Sequence, residues 1–378
     1  MADARDHYYM TRALVLARQG LYSTDPNPRV GCVLVKDDQI VGEGWHVRAG
    51  EAHAEINALD MAGSQANGAT VYVTLEPCCH HGRTSPCTDA LLDAGVTRVV
   101  AAMEDPNPQV TGRGLAQLQA AGVIVECGLL AAEAAALNPG FIQRMQRSRP
   151  WVRCKLAMSL DGRTALASGE SQWITGAAAR LDVHRLRARS SAIMTGVATV
   201  LADDPSLNVR LPEEVDRQPL RVILDPELRT PPTAHTLTLA GQVLIFTAVA
   251  EARYYAPLQE AGADIQVLPR HADGLPLPAV LAELARREIN EVHLECGATL
   301  AGALTHAGLL DELIVYLAPC LLGDSARGLL HLPELSRMSE RITLDIADIR
   351  AVGQDWRITA YPVRQHTSIL ELPNGTTD

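Results

Sequence analysis

The chain has 378 residues, a formal net charge of −11, 47% hydrophobic residues and 20% charged residues. That length is about twice a typical single domain, so two domains are expected, and the balance of apolar and charged residues excludes a disordered chain. The acidic charge speaks against the basic face of a non-specific nucleic-acid binder, and aromatics at only 4% call for an aliphatic core.

Taken in chain order, the opening segment MADARDHYYMTRALVLARQG is interrupted by charges and lacks the apolar region of a signal peptide. No apolar run approaches the roughly 18 residues that a membrane helix needs, so a soluble cytoplasmic protein is expected. Residues 5–19 read as a helix ending at Gly20. VGCVLV and QIVGEGW read as a hairpin turning at Lys36-Asp37-Asp38. A helix at 54–66, the buried strand TVYVTL, a helix after Cys87, the strand TRVVAAM, the helix GLAQLQAAG and the strand VIVEC follow. This order predicts a sheet covered by helices on both faces. NPGFIQRMQRSRPW closes the unit, which places the domain boundary near residue 147, giving domains 1–147 and 148–378.

The second half opens with the strand WVRCKLAMS. A helix at 177–188, strands at 191–195, LRVILD, QVLIF and IQVL, a helix at 278–288, the strand EVHLEC, a helix near 299–307 and the strand ELIVYLAP complete a second α/β domain. The tail ELPNGTTD reads as frayed.

Of eight cysteines, Cys78, Cys79 and Cys87 crowd together, whereas Cys32, Cys127, Cys154, Cys296 and Cys320 lie far apart. In a reducing compartment that pattern favours a metal or catalytic cluster plus buried thiols. His53, Cys78 and Cys87 supply one imidazole and two thiolates, the three protein ligands of a catalytic zinc with an open position for water. Glu55, two residues from His53, is placed to move protons rather than to share the metal. HAE followed by PC matches the zinc-deaminase constellation, in which the Glu is the acid/base. Eight residues, not the generic two, separate Cys78 from Cys87. A structural zinc knot would need a fourth ligand, which Cys79, His80 or His81 could supply. The Pro-Cys pairing favours Cys78 over Cys79 as the ligand.

Asn27 in DPNPRVG reads equally as a pyrimidine contact and as a turn residue, and His46 reads as a packed histidine near the pocket. His80 and His81 read as phosphate contacts or solvated side chains, and DPNPQVTGRG at 105–114 as a pocket-lining turn. In the second half no G-x-G-x-x-G follows a strand, so a Rossmann site is not supported. LECGATLAGAL places a short Gly-containing turn between strand and helix, which could face phosphates. Arg180, Arg185, Arg187, Arg189 and Arg210 could grip phosphate, though on the residues alone a solvated helix face is the better reading.

The motifs PNPRVGCVLV, GEGWH, GEAHAE, LEPCCHHGRTSPC and DPNPQVTGRG together resemble one family, along almost the whole chain. It is the bifunctional diaminohydroxyphosphoribosylaminopyrimidine deaminase / 5-amino-6-(5-phosphoribosylamino)uracil reductase family of riboflavin biosynthesis. Family members commonly carry Ser at the position of Cys79 and Pro at that of Ser85. The resemblance implies a cytidine-deaminase-like three-layer αβα domain followed by a dihydrofolate-reductase-like α/β domain. It implies zinc and NADPH as cofactors, a phosphorylated pyrimidine as small-molecule substrate, and a homo-oligomer; charge and the absence of a long apolar run leave neither nucleic acid nor membrane expected as partner. Carried over position by position, Ala157, Trp173, Thr199, Asp203 and the turn Gly297, Ala298, Thr299, Leu300, Ala301, Gly302 and Ala303 would line the NADP site. Ser171, Arg187, Leu207, Arg210 and Glu295 would hold the substrate and its ribose phosphate. Lys155 and Asp161 are nearby candidates, a strand-end structural role being equally open for Asp161.

Overall fold

The protein is described by a computed structural model over residues 4–79, 86–108, 110–211, 217–271 and 274–363; the expectations for His80, His81 and the tail 371–378 lie outside these. By packing the chain divides into two compact units, Met1–Val152 with Arg180–Cys296, and Arg153–Ala179 with Gly297–Asp378.

The first 150 residues contain α1 (Ala4–Ala17), β1 (Gly31–Lys36), β2 (Gln39–Trp45), α2 (Ala54–Ala62), β3 (Thr70–Val73), α3 (Cys87–Asp93), β4 (Arg98–Ala101), α4 (Arg113–Ala120), β5 (Ile124–Cys127), α5 (Ala131–Leu137) and α6 (Pro139–Arg147). The sheet runs β2-β1-β3-β4-β5. β1 pairs antiparallel with β2 and β3, and β3, β4 and β5 are parallel. Asp37 and Asp38 close the β1–β2 hairpin with φ of 50° and 58°. Positive φ at both central residues is what a two-residue turn matched to the strand twist requires, and Asp tolerates it. Because successive strand residues face opposite ways, β1 feeds two cores. Cys32 and Leu34 pack with Ala58, Leu91 and Leu118 of α2, α3 and α4. Val33 and Val35 pack with Tyr9, Met10 and Ala13 of α1 and with Ala134 of α5. The three-layer αβα domain expected from the motifs is therefore the one observed.

The second half contains β6 (Trp151–Ser159), β7 (Arg163–Ala165), α7 (Ala177–Arg189), β8 (Ala192–Gly196), α8 (Val197–Asp203), β9 (Leu220–Leu224), α9 (His235–Thr238), β10 (Val243–Thr247), α10 (Ala256–Glu260), β11 (Ala263–Val267), α11 (Leu277–Arg286), β12 (Glu291–Leu294), α12 (Ala298–His306), β13 (Glu312–Ala318), β14 (Arg327–Gly328), β15 (Leu344–Val352) and β16 (Asp355–Pro362). Within the first unit β11-β10-β9-β8-β12 run parallel. The central strands β8, β9 and β10 are apolar and buried along nearly their whole length, as strands covered on both faces are, whereas β11 at the edge is largely uncovered. Within the second unit β13 pairs parallel with β6 and antiparallel with β16, which forms a hairpin with β15.

Sequence reading missed the helices α5, α6, α8, α9 and α10, the short strands β7 and β14, and the β15–β16 hairpin. β15, LDIADIRAV, is exposed along most of its length, so it lacks the half-buried alternation that marks a strand. Among the described residues no helix is long and apolar enough to cross a membrane.

Candidate functional site

The first site is assembled by close backbone packing. A Cβ on Gly42 would lie 2.2 Å from the Ala58 carbonyl oxygen, and one on Gly44 2.4 Å from that of Ala54. Two glycines in GEGW thus let α2 lie directly on β2, which fixes where α2 begins. His53 is the N-cap of α2, in extended conformation, and makes no side-chain cap. Its ring turns to the thiols instead. Asn57 Nδ2 donates to the Trp45 carbonyl at 2.8 Å and pins the first turn.

His53 Nδ1 lies 3.5 Å from Cys78 Sγ and 3.3 Å from Cys87 Sγ, and the three ligand atoms all fall within 4.8 Å of one another. Tetrahedral bonds of about 2.0–2.1 Å to nitrogen and about 2.3 Å to sulfur give N···S edges of about 3.5 Å. The donors therefore already fit a zinc ion. Cys87 is the first residue of α3, and its N–H donates to Cys78 Sγ at 3.3 Å. The Cys87 thiol, then His53, stabilises the Cys78 thiolate and lowers that thiol to about 4; the same pairing pushes Cys87 upward. The hydrogen bond with Cys78 raises His53. One negative charge held between two sulfurs and an imidazole is a pocket made for a cation.

Glu55 follows in the first turn of α2, 3% exposed. Burial pushes its carboxyl up to about 7, against the pull of His53. A carboxyl that changes protonation near neutrality can both take and return a proton. His46, read from sequence as a packed histidine, is buried but also wedged against the ligand ring, with centroids 5.3 Å apart at 82°. Its Nδ1–H donates to the Ala52 carbonyl at 3.0 Å, so Nε2 accepts from Asn27 Nδ2 at 3.0 Å. Burial keeps this ring neutral by lowering its pKa.

Glu76 was not singled out in the sequence. Its buried carboxylate accepts backbone N–H bonds from Asp105 at 3.0 Å, Gly112 at 2.9 Å and Gly114 at 2.8 Å. A Cβ on Gly114 would meet the Pro77 carbonyl oxygen at 2.1 Å. Asp105, Gly112 and Gly114 are therefore moored to LEPC by a carboxylate two residues ahead of the candidate ligand Cys78. A Glu two residues ahead of a ligand cysteine was the signal available for it.

For the second half, each unit holds part of the predicted set. In the first unit Arg187 makes a fork with Glu295, Nη2 to Oε2 at 2.9 Å, and its Nη1 donates to the Asn208 carbonyl at 2.8 Å. Burial works against the charged Glu295, but the Arg187 guanidinium overrides it and holds the carboxyl well below the usual range. Leu207 is buried with φ of 44°. The Arg210 N–H donates to His184 Nδ1 at 3.1 Å. Arg187, Glu295, Leu207 and Arg210 thus gather at one place, and Arg187 is not the solvated residue that its helix pattern alone suggested. His184, in the same HRLRAR run, was missed. Burial, then Arg187 and Arg210, push it down to about 4. Thr199 and Asp203 lie on α8, with Asp203 exposed.

In the second unit Ala157 lies on β6, and Gly297 caps α12, whose first residues are Ala298 to Ala303. A Cβ on Gly302 would lie 1.9 Å from the His331 carbonyl oxygen, and Thr299 Oγ1 lies 3.1 Å from His331 Nδ1. Trp173 is 70% exposed and lines a cleft of about 560 Å³ with Ala318, Cys320 and Asp355. Ser171 and Ala157 are half-buried and do not line it. Asp161 accepts from Ser159 Oγ at 2.5 Å, Leu322 N at 3.1 Å and Gly323 N at 2.8 Å, the strand-end structural role. Lys155 Nζ sits 5.9 Å from the Tyr316 ring centroid.

Comparison with known proteins matches residues 3–103 to the family described as cytidine and deoxycytidylate deaminase zinc-binding region and residues 150–358 to the RibD C-terminal domain. The riboflavin biosynthesis protein RibD of Escherichia coli K12 is 51% identical over 362 residues, covering 93% of this chain and 98% of that protein. The solved structure of Acinetobacter baumannii RibD is 46% identical with a TM-score of 0.89, covering 95% of this chain and 99% of that one. A Thermotoga maritima diaminohydroxyphosphoribosylaminopyrimidine deaminase / 5-amino-6-(5-phosphoribosylamino)uracil reductase is 32% identical with a TM-score of 0.84, covering 95% and 99%.

Proposed function

From the premise that this chain belongs to the RibD family of bifunctional riboflavin-biosynthesis enzymes, a zinc-dependent deaminase joined to an NADPH-dependent reductase, we propose which residues carry its two steps. Residues 1–147 form the deaminase domain and 148–378 the reductase domain. The observation that carries the reading is the fit of His53, Cys78 and Cys87 to zinc, with Glu55 buried beside them. Zinc, when bound there, supplies the Lewis acidity that makes a water nucleophilic near neutral pH. Glu55 accepts the proton that water gives up and delivers it to the amine leaving C2 of the diaminopyrimidinone. The ring carbon gains oxygen, ammonia departs, and Glu55 returns to its starting state. His46 and Asn27 hold the His53 side of the pocket in place.

In the reductase half NADPH supplies the hydride that converts the ribosyl unit to ribityl. Arg187 and Arg210 hold the substrate with its ribose phosphate, and Glu295 fixes the Arg187 fork, leaving its remaining N–H edge defined. Ser171 and Leu207 complete the substrate set. Ala157, Trp173, Thr199, Asp203 and the turn Gly297–Ala303 take the cofactor. We place the enzyme in the cytoplasm, where thiolate ligands stay reduced. We take it to be a homo-oligomer, a reading supported by the edge strand β15 and its neighbour β16, which leave Ile346 and Ile349 55% and Trp356 49% exposed.

The test is to give zinc-loaded protein the diaminopyrimidine ribosylamino phosphate with and without NADPH. Ammonia release without cofactor, followed by NADPH consumption once cofactor is added, is the expected result. NADPH consumption with no prior ammonia release contradicts the order.

A further inference from the structure

Arg29, in the deaminase domain, ends the loop DPNPR that reaches Asn27 and His46. It is 6% exposed. Its Nη1 donates to the Leu137 carbonyl at 2.6 Å and pairs with Glu291 Oε1 at 2.8 Å, and its Nη2 donates to the Arg189 carbonyl at 3.2 Å. Glu291 Oε2 also meets Arg189 Nε at 3.3 Å. The backbone around this guanidinium is held on both sides. The Arg29 N–H donates to Asn138 Oδ1 at 2.8 Å, and Asn138 Nδ2 returns a bond to the Arg29 carbonyl at 3.0 Å.

The partners are not scattered. Arg189 is the last residue of α7, whose last turn carries Arg187, and Glu291 is the first residue of β12, which Glu295 directly follows. A helix end leaves carbonyls without intrahelical donors and favours a positive charge. The Arg29 guanidinium meets both needs at Arg189. The same group joins that helix end to the start of β12, so it fixes the spacing of the two elements that bring Arg187 and Glu295 to 2.9 Å. Only a planar fork reaches two carbonyls and a carboxylate at once.

We infer that Arg29 is a positioning residue for the reductase step: the deaminase domain sets the Arg187–Glu295 pair through a buried clamp of Arg29, Glu291 and Arg189. The inference rests on the proposed role of that pair in holding substrate. It makes the deaminase domain a contributor to substrate affinity in the second activity.

The test uses the full chain. Arg29→Met leaves Glu291 balanced by Arg189, so no lone buried charge results. The reductase KM for the deaminated phosphate substrate should rise about tenfold with kcat within about twofold, less than the hundredfold that a misplacement of about 1 Å costs. Deaminase kcat/KM and zinc content should stay within about twofold of the parent. Hydrogen exchange should quicken at residues 187–190 and 291–295. Arg29→Lys keeps the charge and loses the fork, and should behave like Arg29→Met. An unchanged reductase KM, full rescue by Lys, or a parallel fall of both activities with protection lost along the whole chain overturns the clamp. A parent protein that reduces no pyrimidine phosphate breaks the proposed function instead, and hydrogen exchange then decides the clamp alone.

Discussion

The deaminase centre and the Arg187–Glu295 region show two ways of building a site. In the first, three candidate ligands and a candidate proton carrier come from two motifs, His53 and Glu55 at the start of α2 and Cys87 at the start of α3 with Cys78 nine residues ahead of it, and the chemistry demands those residue types. In the second, an arginine near the end of α7 and a glutamate just past β12 are 108 positions apart in sequence and meet through an ion pair. Metal chemistry leaves a compositional trace because few side chains bind zinc. Cofactor-driven reduction leaves almost none, because the protein supplies orientation and electrostatics.

The largest effect should follow from breaking the proton carrier. Glu55→Gln should lower deamination by about 10²–10⁴-fold while zinc content and the reduction of deaminated substrate are unchanged; normal ammonia release by zinc-loaded Glu55→Gln would refute the assignment. Next come the ligands. Cys78→Ser and Cys87→Ser should each lose zinc and with it the deaminase, whereas Cys79→Ser should keep both, as metal analysis will show. Zinc following Cys79 instead would move the ligand by one residue.

On the reductase side Glu295→Gln strips a buried guanidinium of its partner, a change worth about 3–5 kcal/mol where such pairs are broken. Substrate affinity should fall at least tenfold with deamination intact, a result read by steady-state kinetics. A milder effect is expected at the moored loop. Gly114→Ala drives a Cβ against the Pro77 carbonyl and should cost about 1–3 kcal/mol of stability, visible as a lower Tm and weaker zinc retention.

The smallest effect concerns His184. Its folded pKa, about 4, lies below the usual 6.5. The unfolded chain therefore binds more protons between those values, and stability falls as pH drops through that window. His184→Gln should flatten the slope of Tm against pH there. An unchanged slope would show that His184 contributes nothing to it.

Legibility in the sequence followed the same division. His53, Cys78, Cys87 and Glu55 could be named from spacing because motif order and chemistry agree. Glu76 could not, since a buried carboxylate collecting backbone N–H groups has the same letter as a solvated one. Arg187 looked like one of several arginines on a helix until the fold brought Glu295 to it. In the β15–β16 hairpin, β15 escaped because its residues face outward and follow no burial period, and β16 because its buried positions include the polar Asp355, Arg357 and Thr359.

The sequence by itself determined the two α/β domains, the αβα layering and the candidate zinc cluster of His53, Cys78 and Cys87, because hydrophobic period and metal-ligand type are local properties. Only the tertiary structure decided that Arg187 pairs with Glu295, that Glu76 moors the loop before Cys78, and that Arg29 reaches α7 and β12. Those facts are contacts between residues far apart in the chain, and burial sets their strength. No local pattern encodes either one.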